Sequence, residues 1–461
     1  MTSRANSRPR ERRRHYNKDQ QLKGTCQMKF KLLGRVALLA CVSIAMVCGL
    51  TSCATSTLGY LYVTAVQYGQ IASLRLDINS GAIKSVNCNT GNGDQGNCVV
   101  SSGGSYPTKI VLASSDTLMY VLNTAYDGNP ASITLFTLGA SGSVYSTGQS
   151  YNINGQNPVD MYLSPGGNVL YVLNQYLPAD VSTACATPTP STCKGGINAF
   201  QLDGKGNLTP VICPTGDGCL NGGSTFDSYV FPVNYEPGFL NSGFGGSRML
   251  AISGLFYVLD ESAPGTPEIH SFSISGSGAL VPGNPSTTTV SGSKQLSSIV
   301  AGIHVYVSDY QTGQIFIFTP NGTSLAPNGV VCPSALVQPG TLCTVNPGSN
   351  ANLPVALDAM ITNGMYLYVA DYSNNTVFAL QDTSTGTILQ ATNGGNNTSF
   401  GLNPTCLTLS SSPQFLYGAG NGAVTGYQIN TSTGGLSTNL HAATAATFTG
   451  VVPCVMFTPR T

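Results

Sequence analysis

Four charged side chains stand at related places in a chain that otherwise carries little charge. Lys109, Asp160, Arg248 and Asp358 each lie near the start of a short apolar segment: PTKIVLASS, PVDMYLSP, SRMLAISG and PVALDAMIT. Lys109 and Asp160 take the second position after the proline, a place held by Ala356 in PVALDAMIT and by Cys406 in PTCLTLSS, and Arg248 takes the equivalent place in its own segment. Two cations and two carboxylates drawn to one point can do either of two things. They can hold an anionic or sugar-like ligand, with Lys109 and Arg248 supplying the positive charge. Alternatively they can satisfy one another, because a charge taken out of water has to be paired. The residue types leave both open.

What must position them is a repeat. Each of these segments precedes a run ending in Tyr-Val, then a polar turn, a second alternating run and a Gly-bearing turn before an aliphatic residue. The unit recurs from Tyr60 (YLYVTAVQYGQIASLRLDINSGAI), Leu118 (LMYVLNTAYDG), Val169 (VLYVLNQY, resuming at GGINAFQLDGKGNL), Phe256 (FYVLDES), His304 (HVYVSDYQTGQIFIF), Tyr366 (YLYVADYSNNTVFAL) and Phe415 (FLYGAGNGAVTGYQI), seven copies in all. Alternation punctuated by turns is a strand signal. Four strands to a unit with no helical stretch predict an all-β fold, a single seven-bladed β-propeller. The last segment, PCVMFTPRT, has no Tyr-Val after it, and the first Tyr-Val has no such segment before it. Pairing the N- and C-terminal strands would therefore close the ring and remove two free edges.

The net charge of zero conceals two different regions. Residues 1–53 hold 11 of the 19 Lys and Arg and only two of the 19 acids, which leaves eight bases and 17 acids, a net of −9, for 54–461. An acidic body with few cations has no basic stripe for nucleic acid, so no nucleic-acid partner is expected. The stretch MKFKLLGRVALLACVSIAMVCGLTSC, from Met28, combines a basic start, an apolar core of about fifteen residues and a small-residue end, the layout of a secretory signal. That core falls short of the roughly 20 apolar residues a membrane span needs. Its end, LTSC, resembles the bacterial lipobox, and the resemblance implies that Cys53 is diacylated and becomes the new N-terminus. The expected organisation is an Arg-rich leader or mis-assigned start at 1–27, a lipoprotein signal at 28–52, a tether at 53–57 and the propeller at 58–461. Ala54 after the cysteine points to the outer membrane of the cell envelope, with contact to lipid through the anchor only.

Cysteine usage agrees with export. Of 14 cysteines, Cys26, Cys41, Cys48 and Cys53 belong to the leader and ten remain. Four local pairs span Gly-, Pro- or Thr-rich loops: Cys88 with Cys98, Cys185 with Cys193, Cys213 with Cys219, and Cys332 with Cys343. They read as disulfides that staple loops in an oxidising space. Cys406 and Cys454 lie on the leading strands of what would be neighbouring blades, where a disulfide could secure the closure and two buried thiols are the alternative. The spacings lack paired CxxC units and accompanying histidines, so no metal site and no cofactor are expected.

The motif Tyr-Val-x-Asn/Asp (YVLN at 120 and 171, YVLD at 257, YVSD at 306, YVAD at 368) resembles the YVTN-type propeller repeat. The wider group is the seven-bladed lactonase-like family with a 6-phosphogluconolactonase-like fold, and the likeness covers nearly all of 58–461. It implies a site in the central channel built from His, Arg and Glu, often in a Gly-Pro-Arg-His context. That context is absent, and none of His15, His270, His304 and His441 falls on a leading strand. Glu261 in YVLDES matches the family's Tyr-Val-x-Asn-Glu form. Asp260, Asp309 and Asp371 read as turn-forming residues at strand ends. Two insertions, 176–196 and 209–246, flank the third blade, and Phe231, Tyr235 and Phe239 in the second would suit stacking on a sugar or a protein.

Two functions remain in view. One is a monomeric, lipid-anchored binding scaffold with a protein or carbohydrate ligand. The other is a lactone hydrolase in which Arg248, Lys109 and Glu261 or Asp160 surround a carboxylated or sugar ring.

Overall fold

The computed structural model describes most of residues 57–459. It leaves out 1–56, 87–97, 125–130, 177–195, 212–227, 231–247, 261–265, 337–341, 346–352, 384–387, 391–397, 400–402, 438–445, 448–454, 460–461 and four single positions. Among the described residues seven antiparallel blade sheets follow one another along the chain, each ordered inner, second, third and outer strand, and a two-stranded sheet of Thr344–Val345 and Leu353–Pro354 lies between blades 5 and 6 in sequence. The inner strands are Val455–Pro459 in blade 1, then Pro107–Leu112, Gln156–Leu163, Met249–Ile252, Leu296–Ala301, Leu357–Thr362 and Pro404–Leu409 in blades 2 to 7. These are the leading segments read from the sequence. Among the described residues the only helical element is a 3-10 turn, Val66–Tyr68.

Closure is as expected. Thr57–Ala65 pairs antiparallel with Val455–Pro459, from Gly59 opposite Pro459 to Val63 opposite Val455, so blade 1 is assembled from both ends of the chain.

The core is seven wedges, one between each pair of neighbouring blades, because strand alternation buries one set of side chains on each face of every blade. The repeat's tyrosine explains how the wedges are fastened. Tyr62, Tyr120, Tyr171, Tyr257, Tyr306, Tyr368 and Tyr417 are all fully buried. Four of them donate their hydroxyl to a carbonyl in the Gly turn of the next blade: Tyr120 to Gly206 (2.7 Å), Tyr171 to Gly278 (2.8 Å), Tyr368 to Gly434 (3.2 Å) and Tyr417 to Gly81 (2.9 Å). The last of these crosses the ring closure. The turn requires glycine for two reasons, shown at Gly206. Its φ is +85°, and a Cβ there would lie 2.5 Å from Leu118 and 2.9 Å from the Tyr120 hydroxyl.

Near the start of the inner strand the register slips by one residue in blades 2, 5, 6 and 7, between Pro107 and Lys109, Leu296 and Ser298, Leu357 and Met360, and Pro404 and Cys406. In blade 3, Pro158 and Asp160 face the consecutive Asn174 and Leu173, which gives the same slip. A bulge re-aims side chains locally. Recurring at the same place, it shapes the channel mouth.

Candidate binding site at the channel mouth

Register decides which residues share the ring around the mouth. Lys109 faces Leu122, Asp160 faces Leu173, and the Arg248 carbonyl accepts the Leu259 N–H at 3.0 Å, so all three stand opposite the residue after Tyr-Val. Ser298 and Cys406 occupy that level in blades 5 and 7, facing Ser308 and Ala419. In blade 6 the expected Ala356 lies before the strand. Asp358 and Ala359 together span the place opposite Ala370, because Leu357, three residues after Pro354, takes the register place that Pro107 and Pro158 hold in blades 2 and 3. Asp358 therefore belongs to the bulge, the level of Thr108, Ser297 and Thr405.

Of the predicted site residues, Lys109, Asp160 and Arg248 come together. Lys109 Nζ donates to Asp160 Oδ1 at 2.9 Å, Met161 N–H reaches the same oxygen at 2.9 Å, and Arg248 N–H donates to Asp160 Oδ2 at 2.7 Å. Arg248 Nη1 donates to the Leu296 carbonyl at 3.4 Å, so its side chain extends toward blade 5. Lys109, Asp160 and Arg248 are 6%, 0% and 4% exposed, and Asp358 is fully buried. Three donors thus take up both oxygens of the Asp160 carboxylate. Glu261 lies outside the described residues, as do Phe231, Tyr235, Phe239 and most of the two insertions.

The sequence reading missed two features here. The first is a buried imidazole–carboxylate pair, with His270 Nε2 donating to Asp260 Oδ2 at 2.7 Å. His270 stands opposite Val258, and Asp260 follows the Leu259 that bonds Arg248, so the pair sits beside that residue. Aligning each third strand on its Tyr-Val would have exposed it. The second is a pair of half-buried tyrosines, Tyr310 and Tyr372, whose rings lie 6.2 Å apart at 50°. Their N–H groups donate to Gln295 and Ala356, just before the inner strands of blades 5 and 6, which fixes both rings at the mouth. Burial, then the charge of Asp358, pushes the Tyr310 hydroxyl up to about 12.

Of the three acids of the repeat read as turn-forming, Asp309 and Asp371 hold loops in place, whereas Asp260 pairs with His270 on the third strand. Asp309 accepts from the Ser293 hydroxyl and from the N–H groups of Lys294, Gln295 and Thr312. Asp371 accepts from Ala356, and from the backbone and side chain of Asn374. Burial raises its pKa against those bonds. Among the described residues no three His, Cys, Asp or Glu side chains gather as a metal-binding group.

Of the expected disulfides, Cys332–Cys343 is formed, with Cα atoms 5.5 Å apart. The Cys343 N–H donates to the Thr312 carbonyl, so this staple secures the turn after Asp309. Cys406 is buried in the wedge between blades 7 and 1, and Cys454 lies outside the described residues. The pairings Cys88–Cys98, Cys185–Cys193 and Cys213–Cys219, and the lipidation residue Cys53, also fall outside them. No helix among the described residues is long and apolar enough to cross a membrane.

No family model matches the chain, and no curated protein matches it. Solved structures do. The periplasmic gluconolactonase of Pseudomonas aeruginosa superposes with a TM-score of 0.62 at 14% identity, covering 88% of this chain and 100% of that one. A 6-phosphogluconolactonase candidate of Bacteroides fragilis gives 0.61 at 14%, covering 87% and 98%. A protein from Lactobacillus plantarum gives 0.58 at 13%, covering 87% and 99%. The fold is that of the 6-phosphogluconolactonase-like propellers. At this identity the likeness speaks for architecture, and the chemistry has to be argued from the mouth.

Proposed function

We propose that this protein is an exported, lipid-anchored propeller that binds a ligand at the channel mouth without turning it over. One observation carries the reading: both oxygens of Asp160 are engaged, by Lys109, Met161 and the Arg248 backbone. A hydrolase needs a base and a cation within reach of one substrate atom. Here the ring acid and the ring ammonium are spent on each other. The groups left facing a ligand are the Tyr310 and Tyr372 rings and the polar loops around them, which suits recognition of a carbohydrate or a protein.

A second reading has its own support. The His270–Asp260 pair beside Arg248 is a base next to a cation, and the fold likeness includes an enzyme named for gluconolactone hydrolysis in the periplasm. On this reading the protein is a lactone hydrolase, and Lys109 and Asp160 hold Arg248 in position.

The test is hydrolysis of a panel of γ- and δ-lactones by the leaderless protein, beside Arg248→Ala and His270→Gln, with folding checked in each. Binding without turnover predicts no hydrolysis by any of the three. Hydrolysis that both substitutions abolish would replace the first reading with the second.

A further inference from the structure

Strand direction fixes which face of the ring lies next to the anchor. Each inner strand begins at the mouth, close to Lys109 or Asp160, and ends at the opposite rim, and each second strand runs back toward the mouth. Thr57–Ala65 is a second strand. Its end, Ala65, pairs with Gln70 at the mouth, and its start, Thr57, lies beside Asp77 at the far rim. Cys53 precedes Thr57 by four residues, which reach at most about 14 Å when fully extended. An acylated Cys53 would therefore bring the far rim, and not the mouth, to the bilayer.

That rim carries exposed apolar side chains where the tether meets it. Ile78, Ile303 and Met365 are 47%, 50% and 54% exposed. Ile303 and Met365 sit in the turns between inner and second strands of blades 5 and 6, and Asp382 ties those turns together. Its carboxylate accepts the Ile303 N–H at 3.0 Å, and its own N–H donates to the Met365 carbonyl at 2.8 Å. Ile78 follows the third strand of blade 1, Gln70–Asp77, which puts it at the same rim. Blades 5, 6, 7 and 1 are consecutive around the ring, so the three side chains lie on one arc that includes the start of Thr57–Ala65. The inner-to-second turns of blades 2 and 3 present Ser115, Asp116 and Thr117, and Gly166 and Gly167, and blade 2 adds the exposed Tyr145 at the rim end of its outer strand. Among the described residues this rim carries no excess of cations: Lys84 pairs with Asp77 at 2.7 Å, and Asp116 and Asp382 stand at the same level. Attraction to lipid headgroups would thus be apolar more than ionic.

We propose that this arc is a membrane-contact face. In the anchored protein Ile78, Ile303 and Met365 rest in the interfacial layer of the bilayer that holds Cys53, and the mouth with Lys109, Arg248, Tyr310 and Tyr372 opens away from the membrane. The proposal rests on the lipidation of Cys53.

The chain contains no tryptophan, so one introduced indole reports on one place. Full-length protein carrying Ile303→Trp, Met365→Trp or Leu342→Trp is purified from a lipoprotein-processing host and reconstituted into phosphatidylethanolamine–phosphatidylglycerol vesicles, with and without brominated acyl chains. Leu342 is 55% exposed and precedes Cys343, whose N–H meets Thr312 on the mouth side, so it serves as the control. The expected result is blue-shifted emission and loss of intensity to the bromines at 303 and 365, with neither at 342. Intact mass measured on the same samples reports the diacylglyceryl adduct, which Cys53→Ala must abolish. With the adduct present, absence of quenching at 303 and 365, or equal quenching at 342, overturns the membrane-contact face and leaves the anchor standing. Absence of the adduct overturns both.

Discussion

The mouth has two unlike halves built on one repeat. In blades 2, 3 and 4 the residue that ends Tyr-Val-x-Asn/Asp bonds sideways to the third strand: Asn123 to Thr134, Asn174 to Asn198, and Asp260 with His270. In blades 5 and 6 the same position, Asp309 and Asp371, turns to the loop before the inner strand and caps its N–H groups. The difference lies one strand away. Opposite the motif's valine, blades 2 to 4 have Thr134, Asn198 and His270, whereas blades 5 and 6 have Phe316 and Phe378. A phenylalanine offers a carboxylate nothing, so the acid serves the backbone instead, and the tightened loops bring Tyr310 and Tyr372 into contact. The first half is a polar, ion-paired wall. The second is an aromatic one.

The largest effect should come from breaking the paired wall. Asp160→Ala removes the acceptor for Lys109, Met161 and Arg248, and losing one partner of a buried pair costs about 3–5 kcal/mol, read as a drop in unfolding free energy in denaturant. In the aromatic half, Asp309→Ala strips the acceptor from three backbone N–H groups and one hydroxyl. A loss of about 3 kcal/mol is expected, against about 1–2 kcal/mol for Asn174→Ala in the other half, where a single buried amide loses its partner. Equal losses would mean that the two halves do not use their terminal residues differently.

Tyr417→Phe tests the ring closure apart from either half. It deletes the bond to Gly81 and should lower stability by about 1 kcal/mol with the fold retained. The smallest effect concerns pH. The Lys84 ammonium, followed by turn N–H groups, lowers the Asp77 pKa below its usual range. Stability from this pair is present at neutral pH and is lost as acid drops the solution below the ordinary carboxylate range toward the folded pKa. Lys84 is 47% exposed on its side chain, so the contribution should stay under about 1 kcal/mol and vanish in Lys84→Ala, as comparison of acid unfolding curves would reveal.

Much of this molecule was legible in the sequence. The strand period, the seven Tyr-Val copies and the split first blade were enough to predict the propeller and its closure, because a repeat states the same fold many times. Lys109, Asp160 and Arg248 could be aligned by counting from the start of each leading segment. Counting failed at Ala356, where three additional residues and the bulge moved Asp358 and Ala359 to the mouth. The His270–Asp260 and Tyr310–Tyr372 pairs were hidden for a different reason. Each depends on which residue another strand or another blade places opposite, and spacing along one chain segment does not carry that information.

The central claim is that the charges at the mouth answer to one another. A double-mutant cycle on Lys109→Met and Asp160→Asn, followed by denaturant unfolding, tests it most directly. If the pair is self-satisfied, the single losses exceed the double loss, with a coupling of about 2 kcal/mol or more, within the range for residues sharing one ion-pair network. Losses that add to within a few tenths of a kcal/mol would contradict the account and return Lys109 to the set of groups available to a ligand.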